Sequence, residues 1–121
     1  MSDSTATVAE LKELVKRFCE EREWDQYHDP KELSIGISTE AAELLDIFRF
    51  KTKKQMDAMM KDEQKRAMIG EELADVLYFT LRFGQMNGFD LSDELVRKIV
   101  KNEEKYPVGK ARGSNKKYNE G

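Results

Sequence analysis

Apolar residues recur along this chain at helical spacing, and nowhere do they alternate as a half-buried strand would. Val8, Leu11, Leu14, Val15, Phe18 and Cys19 line one side of the first such segment, predicting an amphipathic helix over about 6 to 22 with Ser4 or Thr5 as N-cap. Asp29-Pro30 opens a second helix, which runs to about Phe50 through Leu33, Ile37, Leu44 and Ile47, because Pro suits a first helical turn. A third starts at Asp62 or Glu63, reaches about Met86 and stops at Asn87-Gly88. The last spans roughly 91 to 105, with Asp90 as cap, Asp93 at the third position, and Leu91, Leu95, Ile99 and Val100 turned to the core.

The connections are equally informative. Trp24, Tyr27 and His28 form an aromatic elbow before Asp29-Pro30, read either as a packed helix corner or as a ligand contact. Gly36 interrupts the second helix at a cost of about 1 kcal/mol relative to Ala, which fits a point where a backbone or ligand comes close. Lys51-Thr52-Lys53-Lys54 is a polar connection, and Gln55 to Asp62, with Met56, Met59 and Met60 as gap-fillers, is a short helix or ordered turn. The third helix also carries a second stripe, Leu73, Leu77 and Leu81 with Ala74 beside them. Apolar residues on two sides imply burial on two sides, which in so short a chain points to a subunit interface. The expected architecture is all-α: one domain over 1–121, a bundle of four main helices per chain, assembled as a homodimer or homotetramer.

Two pairs of acids break the apolar stripes. At about 100° per residue, Leu33, Ile37, Leu44 and Ile47 fall within about 60° of Glu40, and Met68, Ile69, Val76, Phe79 and Phe83 within about 60° of Glu72. Glu43 and Asp75 lie on the flanks, one turn further on. The chain is 37% charged, so acids three apart arise by chance, and most such pairs are solvated. Position on the stripe makes these different. Ionised carboxylates on core-facing surface cost several kcal/mol each unless paired or bound to a cation, and four converging repel one another. A divalent cation held by Glu40, Glu43, Glu72 and Asp75 resolves both problems.

The rest of the composition narrows the chemistry. With a single His28 and a single Cys19, zinc has too few ligands, and neither acid pair has the Glu-x-x-His form of a di-iron bundle. Hard oxygen ligands alone select Mg²⁺ or Mn²⁺, ions that share their coordination with substrate phosphates. No Gly-rich P-loop is present, so hydrolysis of a phosphoanhydride is favoured over motor or kinase chemistry. A net charge of -3 argues against a general nucleic-acid binder. Cys19 excludes an internal disulfide and reads as a small buried hydrophobe. Without an apolar run of about 18 residues or a basic-then-apolar leader, the expectation is a soluble, cytoplasmic protein with no membrane partner. Residues 106–121 have no period and no core residues but hold Lys110, Arg112, Lys116 and Lys117, a composition that by itself suggests a disordered tail.

Glu40-x-x-Glu43 followed by Glu72-x-x-Asp75 resembles the metal signature of the all-α nucleotide pyrophosphohydrolases, the MazG-like superfamily. The stretch from Trp24 to Leu33 is similar to the segment before the first acid pair in that superfamily's dCTP pyrophosphatase branch. Asn102-Glu103-Glu104-Lys105-Tyr106-Pro107, with Arg112-Gly113-Ser114 and Lys117-Tyr118, resembles the C-terminal segment of the same branch. The resemblance implies Mg²⁺-dependent hydrolysis of a nucleoside triphosphate, dCTP or a modified pyrimidine deoxynucleotide, to the monophosphate and pyrophosphate, in nucleotide pool sanitation. It implies that Trp24 and His28 help form the base or sugar pocket and that Asn102, Lys105 and Tyr106 contact the nucleotide. Arg112 faces phosphate on electrostatic grounds, and the basic segment 106–121 becomes one that closes over the substrate. Phe50 stands where that branch often has Trp, and Phe79 where a Tyr is familiar, so stacking is kept while a hydrogen-bond handle is lost. Glu43, at the edge of the stripe, is favoured over Glu40 as the base that activates water. Two rivals stand beside this reading: a non-catalytic helical adaptor whose acids pair with cations, and the same fold acting on another nucleotide such as phosphoribosyl-ATP.

Overall fold

Five of the helices begin at a side chain that takes up one of the backbone N–H groups a helix start leaves free, a device worth about 1 kcal/mol each. A computed structural model describes residues 1–120. In it Thr7 caps α1 (Val8–Glu21), Asp29 caps α2 (Pro30–Phe48), Thr52 caps α3 (Lys53–Lys61), Asp62 caps α4 (Glu63–Asn87) and Asp90 caps α5 (Leu91–Lys105). A 3-10 turn, Asp25–Tyr27, joins α1 to α2, and a short α6, Val108–Ala111, follows α5. The described residues contain no strand, as the helical period requires. The first cap differs from expectation. Thr7 and Glu10 bond each other's backbone reciprocally, and Thr5 instead closes a turn on Ser2. Gly88, at φ 73, ends α4 in the left-handed conformation.

The described chain divides into two compact units, residues 1–88 and residues from 89 onward. In the first, α4 is the shared element, packed most extensively on α2, then on α1 and α3. Each of the four helices contributes to the core: Val15 and Cys19, Leu33, Met59, and Ile69 with Leu81. Cys19 is the expected buried small residue, with its Sγ 3.0 Å from the Tyr78 hydroxyl. Of the three methionines of α3 only Met59 is buried.

Gly36 is explained by the α2–α4 contact. A Cβ built there lies 2.5 Å from Cδ1 of Phe79, so the ring occupies the space a side chain would need. The close approach is to a packed ring of the protein itself. On the far side of α4 the second stripe divides: Leu81 is buried, while Leu73 and Leu77 are 58% and 48% exposed. Together with Gly70, Ala74, Val76 and Thr80 they line a shallow apolar groove.

In the second unit α5 has the expected bounds and cap, but its apolar residues do not form a core. Leu95, Val96, Ile99 and Val100 are exposed and Leu91 only half-buried. A unit this short has too little apolar surface of its own to cover a helix face. Residues 106–118 fold back on α5, with the Tyr106 and Tyr118 rings 6.0 Å apart and the Lys105 ammonium 5.0 Å from the Tyr118 ring. The segment expected on composition to be disordered is therefore structured to residue 120, and Gly121 lies outside the described residues. No helix among the described residues is long and apolar enough to cross a membrane.

Gly36→Ala should destabilise the chain by up to about 2 kcal/mol in urea unfolding, because an overpacking cost of up to about 3 kcal/mol is offset by a helix-propensity gain of only about 1 kcal/mol. In a double-mutant cycle with Phe79→Ala the penalty of the alanine should vanish.

Candidate functional site

Helical geometry places Glu40 and Glu43 one turn apart on α2, and Glu72 on the face of α4 that meets it. The crossing at Gly36 and Phe79, one turn before Glu40 and two turns after Glu72, sets how closely the two helices approach. Carboxylate oxygens of Glu40, Glu43 and Glu72 consequently lie within 4.8 Å of one another. Glu40 and Glu72 are half-buried and Glu43 is exposed. One oxygen of each buried member, Oε2 of Glu40 and Oε2 of Glu72, is removed from solvent without a hydrogen-bond partner.

The electrostatics follow from this crowding. Burial first, then hydrogen bonding to Glu43 and the charges of Glu43, Asp75 and Glu72, push the Glu40 carboxyl from 4.5 up to about 7. Glu72 is raised for the same reasons, with burial foremost and the charge of Glu43 next. Asp75 stands outside the group of three and is exposed, yet its charge acts on both Glu40 and Glu72. Two buried acceptor oxygens without donors are what a cation site presents before the cation is counted. The donor set fits a hard divalent ion: all oxygen, anionic, and spaced within reach of one ion whose opposite ligands lie about 4 Å apart.

The aromatic elbow is both packed and held. Trp24 meets Phe18 edge-on at 5.6 Å and His28 at 6.3 Å, and remains 37% exposed. His28 is half-buried, and its Nδ1 accepts a hydrogen bond of 3.0 Å from Nε of Arg82 on α4. Burial and the Arg82 charge lower its pKa from 6.5, with Asp25 acting weakly the other way. Phe50 follows the end of α2 at φ 64, where a glycine would be at ease, and its ring is 90% exposed with the Arg49 guanidinium 4.9 Å above it. A bulky residue in the left-handed region costs about 1–3 kcal/mol and persists mostly at sites of use.

The remaining sequence-derived candidates belong to the second unit. Asn102 is half-buried on α5 and its carbonyl accepts from the Tyr106 backbone N–H. Lys105 and Tyr106 line a cavity of about 200 Å³ together with Lys110, Lys116, Lys117 and Tyr118, a basic concavity suited to an anion. Arg112, just past α6, is exposed.

Sequence reasoning missed Arg82, with its partners Asp25 and Gln85. The signal was present: at about 100° per residue Arg82 falls between Tyr78 and Phe79 on α4, a charge amid aromatic neighbours, as Glu72 is.

Residues 35–120 match the model of the MazG-like family. Over 114 residues the chain is 32% identical to the Homo sapiens protein named dCTP pyrophosphatase 1, covering 94% of this chain and 67% of that protein. The Mus musculus protein of the same name is 31% identical over 112 residues, 93% of this chain and 66% of its own length. The chain thus spans about two thirds of the length of these curated relatives. A crystal structure of a pyrophosphatase from Archaeoglobus fulgidus has a TM-score of 0.77 at 32% identity, covering 88% of this chain and 98% of that one.

The raised Glu40 predicts the pH dependence of folding without metal. An acid whose folded pKa lies above its unfolded value supplies stability below about pH 4.5 that is lost as pH rises through about 7. In chelator the melting temperature should therefore fall across that window. Glu40→Gln should flatten the fall, and millimolar Mg²⁺ at pH 8 should raise the melting temperature of the unsubstituted chain. Scanning calorimetry reads all three, and no Mg²⁺-dependent rise would count against the cluster as a metal site.

Proposed function

The chain belongs to the MazG-like family, and we propose that it hydrolyses a nucleoside triphosphate to the monophosphate and pyrophosphate. The observation that carries this reading is the convergence of three carboxylates from two helices with two buried oxygens left without donors. Glu40, Glu43 and Glu72 would hold Mg²⁺ or Mn²⁺, with Asp75 completing the set. Such an ion neutralises the carboxylates, binds phosphate oxygens and makes a bound water acidic.

The chain's own groups then divide the work. Glu43 is the exposed member of the three, so its carboxylate is the one open to take a proton from the attacking water. Glu40, whose acidity is weakened when no cation is bound, would be held ionised and oriented by its place in the set. Within the second unit, Lys105 and Tyr106 line a basic concavity that offers cations and a hydrogen-bond donor to phosphate oxygens, and Asn102 and Arg112 are that unit's further candidates for nucleotide contact. Trp24 and His28 bound the base or sugar, and the exposed Phe50 ring offers a stacking face. The names of the curated relatives favour dCTP as substrate; a modified pyrimidine deoxynucleotide as substrate and a cytoplasmic role in nucleotide pool sanitation are parts of the same proposal. The exposed stripe of α4 around Leu73 and Leu77 is where a second copy would pack, giving a homodimer or homotetramer.

Purified protein with Mg²⁺ should convert dCTP to dCMP and pyrophosphate, and outpace its rate on phosphoribosyl-ATP in the same panel. Glu43→Gln should lower kcat by about 10²–10⁴-fold. Glu72→Ala should abolish turnover, and a fully active Glu72→Ala protein would rule the mechanism out. Leu77→Glu should shift the mass measured by light scattering toward that of one chain, because a charge cannot be buried in an apolar contact without a partner.

A further inference from the structure

Arg82 is 1% exposed, the only charged residue in the buried class among those described. Each of its three nitrogens has a different partner. Nη1 donates to Oε1 of Gln85 at 2.6 Å, Nη2 donates to Oδ1 of Asp25, and Nε donates to Nδ1 of His28 at 3.0 Å. Gln85 is one turn along α4, whereas Asp25 and His28 lie in and just after the 3-10 turn, 57 and 54 residues away in sequence. A guanidinium has five donors, no acceptor, and no neutral form at accessible pH. The nitrogen it meets on His28 must therefore present a lone pair. A neutral imidazole has one N–H, which is then at Nε2, and protonating Nδ1 would set two donors face to face.

We propose that Arg82 is a positioning residue that holds His28 as the neutral Nε2–H tautomer, so that the ring offers the nucleotide a fixed hydrogen-bond donor. This rests on the reading above that His28 bounds the base or sugar. A donor of fixed direction selects an acceptor, such as a ring carbonyl or a sugar oxygen, and disfavours a group that itself donates there. Asp25, 57% exposed on its side chain, holds the outer end of the guanidinium and compensates its charge, and Gln85 fixes the inner end. The charged groups acting on the imidazole are Arg82 from α4 and Asp25 from its own turn, and burial and Arg82 together oppose protonation more than Asp25 favours it.

His28 is the only histidine of the chain, so one long-range proton–nitrogen NMR spectrum of the labelled full-length protein reads its tautomer without ambiguity. We expect an acceptor-type Nδ1 and a protonated Nε2 in the neutral ring at pH 8, with protonation of the ring only below the free value of about 6.5. A protonated Nδ1, or a ring that titrates at or above about 6.5, overturns the proposal. Arg82→Lys keeps a buried cation but lacks the rigid fork, so it should give mixed tautomers and raise the KM for dCTP about tenfold with kcat within about threefold. Mixed tautomers with an unchanged KM overturn the role in recognition. Should that variant not fold, dCTP added with Mg²⁺ to the Glu43→Gln protein, at a concentration that calorimetry shows to saturate it, gives the answer: the Nε2 resonance moves if it donates to the nucleotide, and an unmoved resonance overturns the proposal. The tautomer is read whether or not the protein turns over, so a failure of the hydrolase reading shows in the activity panel and leaves the spectrum standing.

Discussion

Glu40 and Glu72 face one another across the α2–α4 contact, and the consequences of that contact reach every part of the first unit. Helices approach closely only where side chains permit it, and here the ring of Phe79 lies where Gly36 has no side chain. That approach brings anionic groups from two helices into one space and leaves two of their oxygens dry and without donors. Nothing in the local packing of α2 or α4 rewards such an arrangement. Like charges in a medium of low dielectric constant repel, and the displaced acidity of Glu40 and Glu72 expresses the same unfavourable energy in protonation terms. A cation bound among these carboxylates would reverse the sign of that energy.

Arg82 is the counterpart of this cluster on the same helix. It is more deeply buried than any of the acids, yet it has a partner for each nitrogen. Removing one partner of a buried, paired charge typically costs about 3–5 kcal/mol, so the network also ties the elbow to α4 mechanically. One helix thus carries an unsatisfied charge cluster and, three turns on, a satisfied one. The first brings carboxylate oxygens within 4.8 Å of one another, and in the second the protein's only histidine is an acceptor toward Arg82.

Much of the fold was legible because its signals are local. A cap bonds a backbone group three residues on, and an apolar period is set by 3.6 residues per turn, so α2, α4 and α5 follow from short windows of sequence. The same locality explains the misreadings. Thr7 displaced Ser4 and Thr5 as the cap of α1 because its box with Glu10 satisfies two backbone groups, a reciprocity that composition does not reveal. The apolar residues of α5 indicated a face and not what covers it, and in the structure Leu95 and Ile99 are exposed. The segment after Tyr106 lacked period and core residues, but ring contacts and a lysine over Tyr118 organise it, interactions that no hydrophobic pattern registers.

The amino-acid order by itself determined the four main helices, their ends to within about two residues, and that Glu40 and Glu72 lie on apolar stripes, since each of these depends on neighbours within a turn or two. It could place a carboxylate on a face but not against another face. Which acids meet, that Asp75 stands outside the group of three, that Gly36 receives a ring of the protein itself, and that Arg82 reaches 54 residues back to His28 were decided by tertiary packing. The reason is physical: these outcomes depend on the angle and separation of whole helices, which are set by the summed packing of α4 against α1, α2 and α3 and by no single stretch of the chain.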